Sequence, residues 1–278
     1  MSKPEGAHLV EIKARKGWNS LNLAELWEYR ELLYFFTWRE VKGRYRQMAL
    51  GPLWIILKPF VTMVVMSLVF GKLAKIPSDG LPYPIFNFTA LLPWQLFAVS
   101  LSKSSTSLVT SMGVISKVYF PRLTMPISSA ASGLVDFVMA FLILIGMMIY
   151  YGIVPDWRVL YLPFFILLAL TASLGIGMCL ATLAVKYRDV KFGVEHALQV
   201  WIYASPVVYP ASMVPEALRD LYMLNPMAWV IEGFRWCLLG KGQPPDWTLV
   251  VTSGLSLMLF VIGAYTFRRT ERTIVDLK

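Results

Sequence analysis

The sequence has few charged residues and almost no cysteine or histidine. Only 15% of its 278 residues are charged and 57% are hydrophobic, whereas about a quarter of a soluble domain is charged. The two cysteines and two histidines fit neither a metal site nor a disulfide framework. Phosphate-binding loops, zinc-protease motifs and nucleophile elbows do not occur. These absences argue against a soluble domain, an enzyme and a cofactor bound by this chain.

Long apolar runs predict an all-α integral membrane protein with six transmembrane helices. Most runs hold about 18 to 20 residues or more, enough to cross a hydrocarbon core of roughly 30 Å, although the fifth is short. The predicted spans are 52–73, 84–109, 127–151, 160–185, 193–209 and 249–267. Residues 1–51 are expected to form a cytoplasmic segment, and 52–278 the transmembrane domain.

The distribution of basic residues predicts the orientation. Most of the 26 Lys and Arg residues precede the first predicted span, follow the sixth, or lie near the loops after spans two and four. By the positive-inside rule, both termini are then cytoplasmic. Anionic lipid headgroups explain the net charge of +9, and no nucleic-acid-binding motif is present.

The segment before the first span predicts an amphipathic helix that begins at Asn22. Its apolar residues, including Trp27 and Trp38, recur at three- and four-residue steps. Because it also carries charges such as Arg44 and Arg46, the helix is too polar to span the membrane. We expect it at the membrane interface, with its Trp residues at headgroup depth. A soluble helix packed on a partner is the alternative.

Three charged residues occur inside or near the ends of predicted spans. Lys58 either extends to the headgroups or lines a conduit. Asp136 lies near mid-membrane, where a carboxylate is destabilising unless it is paired or hydrated. Lys103 is a candidate partner, and protonation or bonds to nearby hydroxyls are the alternative. The serine-rich stretch 100–111 suits either tight helix packing or a wetted wall.

The segment between spans five and six predicts two short helices rather than a polar loop. Asn225 is a natural N-cap, Pro226 fits the first helical position, and Gly240 ends the second helix. Glu232 and Arg235 are spaced to pair on it. At 1.5 Å per residue this helix is about 20 Å long, too short to span. We expect re-entrant helices on the outer side, with a plain interfacial helix as the alternative.

Several stretches together resemble the ABC-2 type permeases that export polysaccharides, from about residue 20 to the end. The stretches are RYRQMALGPLWIILKPF (44–60), ISKVYFPRLTMP (115–126), YRDV (187–190), LQVWIYASPVVY (198–209) and LNPMAWVIEGFRWCLLG (224–240). The resemblance implies a homodimer with two copies of a separate ATPase subunit that binds ATP and magnesium. It further implies export of a lipid-linked, O-antigen-like glycan across a bacterial inner membrane.

Other cargoes and classes stay open at this point. Capsule or teichoic acid chains would suit the same family, and so would drugs or small lipids on the same fold. An ion-driven carrier or a membrane enzyme without an ATPase is the third class.

The resemblance also implies that the loop between spans two and three forms a coupling helix in a groove of the ATPase. This would explain why a loop flanked by charges carries apolar residues. The residues concerned are Lys117, Val118, Tyr119, Phe120 and Arg122. The alternative is an amphipathic turn in the headgroup region.

Aromatic residues make up 14% of the chain and suggest a surface on which sugar rings slide. The candidates for this glycan path are Trp54, Phe60, Trp201 and Tyr203. For any one of them, interface anchoring or core packing is the alternative.

Overall fold

The computed structural model describes residues 27–45, 51, 53–115 and 120–275, and all regular structure within these residues is helical. The α-helices are α1 (Arg30–Tyr45), α2 (Leu53–Met66), α3 (Tyr83–Ile115), α4 (Thr124–Tyr150), α5 (Leu162–Lys186), α6 (Asp189–Trp201), α7 (Glu216–Met223), α8 (Pro226–Leu238) and α9 (Trp247–Val275). A π-helical stretch, Ser67–Leu73, extends α2, and a 3-10 turn, Trp157–Tyr161, precedes α5.

Five helical segments in the described part of the chain are long and apolar enough to cross a membrane. They are Leu53–Leu73, Tyr83–Gly113, Thr124–Tyr150, Trp157–Lys186 and Trp247–Thr270. Each corresponds to one predicted span, although several extend beyond the predicted limits. The all-helical class and five of the six predicted segments are therefore confirmed, and the count of six spans is not.

The predicted fifth span, 193–209, is helical only as far as the end of α6, and turns follow. Several carbonyl groups of these turns accept hydrogen bonds from side chains. Asn225 Nδ2 donates to Ala204 O at 3.2 Å, and Arg235 Nη2 donates to Val207 O at 3.2 Å. Because these bonds come from residues later in the chain, the apolar pattern of 193–209 alone did not predict the break.

The core of the bundle surrounds α8. Eleven of its thirteen residues are buried, among them Trp229 and Phe234, each 0% exposed. Trp229 Nε1 donates to Thr248 Oγ1 of α9 at 3.0 Å, so that its polar atom is satisfied. Helices α3, α5 and α9 all contact α8. This short helix is therefore an interior element of the bundle.

The long helices pack closely through small residues. A Cβ atom added at Gly175 of α5 would lie 2.6 Å from the backbone nitrogen of Phe260 in α9, so only glycine fits there. In the serine-rich stretch of α3, Ser104 and Ser107 are buried and donate to carbonyls of their own helix, at 3.2 and 2.8 Å. The structure thus favours the packing interpretation of this stretch over a wetted wall.

Candidate functional site

At the end of the bundle where α1 lies, charged and hydroxyl side chains join α1 to α3 and α4. Lys103 Nζ of α3 donates to Glu40 Oε2 of α1 at 3.1 Å and to Ser132 Oγ of α4 at 2.7 Å. Ser129 Oγ, also on α4, donates to Glu40 Oε1 at 2.6 Å. A single carboxylate of α1 is therefore bonded to both neighbouring helices.

A second ion pair extends this network, which we call the α1 network. Arg44 of α1 pairs with Asp136 of α4, and Arg44 Nη2 also donates to Ser132 Oγ at 3.1 Å. The observed partner of Asp136 is thus Arg44, and Lys103, the predicted partner, pairs with Glu40 instead. The alternative, in which Asp136 is protonated or bonds to nearby hydroxyls, likewise did not include Arg44. Pairing neutralises a carboxylate that would otherwise be destabilising within a membrane-spanning helix.

The sequence contained a signal for this network. Ser129, Ser132 and Asp136 follow one another at steps of three and four residues and therefore share one face of α4. Glu40 and Arg44 are four residues apart and share one face of α1. Polar faces such as these would be unfavourable in lipid, so they indicate that each helix packs on another helix. Periodicity does not specify which helix that is.

An aromatic contact beside the network joins α1 to the loop before α4. The rings of Phe36 and Phe120 have centroids 5.4 Å apart, and both side chains, with Met125, form one buried cluster. Phe120 is only 4% exposed. Within this chain its ring packs against Phe36 of α1, and its role as an anchor in a groove of the ATPase stays a prediction. Arg122 lies in the same loop and is half-buried.

The other three residues predicted for this loop, Lys117, Val118 and Tyr119, lie outside the described residues. So do Arg46 and the predicted helix start at Asn22. Their roles stay predictions.

Helix α1 has one face on the bundle and one face exposed. Phe36 and Val41 are buried, whereas Trp27 is 72% and Trp38 46% exposed. The predicted apolar stripe therefore divides: Val41 packs on the protein, and the two Trp side chains face outward. This exposure leaves both Trp residues accessible to a membrane interface.

At the opposite end of the bundle, Glu232 and Arg235 of α8 form a buried ion pair. Arg235 Nη1 donates to Glu232 Oε1 at 2.9 Å, with both side chains at most 2% exposed. The guanidinium also lies 3.6 Å from the centroid of the Phe86 ring. Burial lowers the pKa of Arg235, and the adjacent Glu232 carboxylate opposes this shift.

The same ion pair binds the chain segments around α8. Arg235 Nη2 donates to the Val207 carbonyl, and Arg235 Nη1 donates to Tyr209 O at 3.5 Å. Glu232 accepts from the backbone nitrogens of Ala211 and Gln243, at 3.4 and 3.2 Å. The pair thus holds the turns after α6 and the loop before α9 against α8.

The predicted ends of α8 are confirmed. The Asn225 side chain accepts from the Met227 nitrogen at 3.1 Å, with Pro226 in the first helical position. Asn225 Oδ1 also accepts from Trp201 Nε1 at 3.2 Å. Gly240 has a φ of 65°, the left-handed conformation that favours glycine.

The aromatic candidates for a glycan path lie on α2 and around the end of α6. Trp54 and Phe60 lie on α2 and are 47% and 45% exposed. Trp201 packs edge-on against Phe97, with ring centroids 5.2 Å apart, and Tyr203 in the following turns is 55% exposed. Their role in a glycan path stays a prediction.

Five candidate spans in the described part of the chain, packed around an interior helix, are typical of a multi-pass membrane protein. Comparison with known proteins gives the particular family. The chain belongs to the ABC-2 type transporter family, whose model matches residues 31–239.

Curated relatives match almost the whole chain. It is 32% identical over 252 residues to the O-antigen export system permease protein RfbA of Myxococcus xanthus, covering 89% of this chain and 96% of the relative. The corresponding protein of Klebsiella pneumoniae is 26% identical over 248 residues, covering 89% and 95%. The polysialic acid transport protein KpsM of Escherichia coli is 20% identical over 240 residues, covering 85% and 92%.

Proposed function

We propose that this chain is the membrane permease subunit of an ATP-driven exporter that moves a lipid-linked, O-antigen-like polysaccharide across the bacterial inner membrane. The similarity to O-antigen export permeases over 89% of the chain carries this proposal. A capsule-type polymer is the second candidate cargo, because a polysialic acid transport protein is a more distant relative. ATP and magnesium would bind to a separate ATPase subunit.

In this proposal the chain crosses the membrane six times, with both termini cytoplasmic. The fifth crossing consists of α6 and the turns as far as residue 209, and α7 and α8 form the outer re-entrant segment. The burial of α8 supports this arrangement, since a short helix is tolerated at membrane depth where its surroundings are protein. Residues 1–51 form the cytoplasmic segment and 52–278 the transmembrane domain.

The exposed faces of two helices support a homodimer with a conduit between its copies. On α6, the polar residues Glu195, His196 and Gln199 are all exposed. Such residues in a membrane-crossing helix face water or protein rather than lipid. On α2, Val61 and Val65 are 48% and 51% exposed, and a second copy would cover them. Each conduit wall would then combine the outward faces of α2 and α6, with Tyr203 in the turns after α6.

Coupling to the ATPase would act through the loop before α4 and through α1. Phe120 lies against Phe36, so a push on the loop reaches α1, and the α1 network transmits it to α3 and α4. In this account Lys117, Val118 and Tyr119 contact the ATPase, whereas Phe120 links the loop to α1.

Co-purification with the ATPase tests the proposal. We expect Tyr119→Asp to reduce capture of a co-expressed ATPase subunit by more than about tenfold, because a charge would replace an interface anchor. The matched control is Tyr150→Asp at the far end of α4, where the tyrosine is 83% exposed. Failure to capture any ATPase with the unchanged chain, or equal capture by Tyr119→Asp, would contradict the proposal.

A further inference from the structure

A cavity of about 590 Å³ separates α2 from α3 and α4 near the α1 network. Most of its lining is apolar, including Trp54, Leu96 and Phe137. Three basic side chains also line it, namely Arg44, Lys58 and Lys103, together with the Asp136 carboxylate that pairs with Arg44. The cavity therefore combines a hydrocarbon-like wall with a cluster of positive charges.

The charges of this cluster do not balance. Arg44 is paired with Asp136 and Lys103 with Glu40. Lys58, by contrast, has no ion-pair partner in the part of the chain that the structure describes, and its side chain is exposed. One positive charge is in excess, so the cluster matches a group with a single negative charge.

A second cavity, of about 500 Å³, continues the same gap farther from α1. On α2 its lining begins at Phe60, directly after Pro59 of the first cavity. On α4 its lining begins at Ile143, one helical turn beyond Ala140. Its lining is almost entirely apolar. We call the two cavities together the α2–α4 seam.

The second cavity offers water few hydrogen-bond partners, because its lining is almost entirely apolar. A hydrocarbon chain fills such a space favourably. Basic pockets between membrane helices are suited to acidic lipid headgroups, since the cations lie near headgroup depth. Lys58 lies five residues after the start of α2 at Leu53, which is about 8 Å along the helix axis.

We propose that the α2–α4 seam binds one anionic phospholipid of the bilayer, with its phosphodiester at Lys58 and an acyl chain in the cavities. The phosphodiester carries one negative charge and therefore balances the excess charge of the cluster. Arg44 on α1 and Lys58 on α2 would both contact this headgroup, so the lipid would connect the interface helix to the first span. This inference does not depend on the identity of the exported cargo.

Native mass spectrometry of the purified full-length chain with added lipids measures this binding directly. The probes are phosphatidylglycerol, zwitterionic phosphatidylcholine and a long-chain polyprenyl phosphate. We expect phosphatidylglycerol to bind about tenfold more tightly than phosphatidylcholine, and Lys58→Gln to weaken its binding roughly fivefold. Lys191→Gln, which removes an exposed lysine of α6, should leave binding unchanged.

A second pair of variants tests the acyl-chain part of the site. Ala98→Phe places a ring in the first cavity and should reduce phosphatidylglycerol binding without changing any charge. Val138→Phe adds the same bulk on the outward face of α4, where the valine is 54% exposed, and should have no effect. Thermal unfolding of both variants distinguishes a loss of lipid binding caused by misfolding from one caused by a filled cavity.

Three results would overturn the inference. Equal binding of both phospholipids would exclude recognition of charge. A preference for polyprenyl phosphate would assign the seam to the lipid carrier of the cargo. Unchanged binding by a folded Ala98→Phe protein would place the lipid elsewhere. ATPase capture would be unaffected in each case, so failure here is distinct from failure of the proposed function.

Discussion

Removing one partner of the buried pair between Glu232 and Arg235 should destabilise the protein strongly. Arg235→Met would leave the Glu232 carboxylate at 2% exposure without its cation and would leave the carbonyls of Val207 and Tyr209 without a donor. Breaking a buried ion pair from one side costs about 3–5 kcal/mol. For a chain of this size, that corresponds to a decrease in Tm of about 6–20 °C.

The assay is thermal unfolding of the purified protein in detergent, followed by intrinsic fluorescence at a fixed scan rate, because unfolding of membrane proteins is often irreversible. The double variant Glu232→Leu/Arg235→Met removes both charges and should recover roughly half of the lost stability. It would not recover all of it, since the Ala211 and Gln243 nitrogens lose their acceptor. If Arg235→Met alone unfolds within about 2 °C of the unchanged protein, the reasoning is refuted.

Three further predictions concern other contacts. Asn225→Ala removes the cap of α8 and the donor to the Ala204 carbonyl, and should lower the free energy of unfolding by about 1–3 kcal/mol in denaturant titrations; Asn225→Ser, which keeps a hydroxyl at the cap, should lower it less. Gly175→Ala should cost about 1–3 kcal/mol in the same measurement, because its Cβ would meet the α9 backbone. Gly254→Ala, whose Cβ would meet nothing within 4 Å, is its control, and equal effects of the two would contradict close packing. Phe36→Ala should leave ATPase capture intact but slow ATP-driven transport, since it removes the ring against Phe120; unchanged transport would exclude that contact from coupling.

Local signals in the sequence predicted much of the fold. The cap at Asn225, the proline after it and the glycine that ends α8 depend on neighbouring residues only, so their roles could be predicted from sequence. Apolar length likewise predicted the five long spans. The pairing of Glu232 with Arg235, three residues apart, followed from helical spacing.

Contacts between distant residues could not be predicted in the same way. Arg44 and Asp136 are 92 residues apart, and no periodic pattern chooses Arg44 over Lys103 as the partner of the carboxylate. The turns after α6 depend on side chains of Asn225 and Arg235 that follow them in sequence. Burial of Phe120 required knowing that α1 packs on the loop before α4.

We propose that this chain forms the path for a glycan and that a separate ATPase subunit supplies the energy. The most direct measurement is translocation of a lipid-linked glycan into sealed vesicles that contain the purified chain, with and without its ATPase subunit. The account predicts that glycan crosses the membrane only when the ATPase subunit and ATP are both present. Translocation at the full rate by vesicles that contain this chain alone would contradict it.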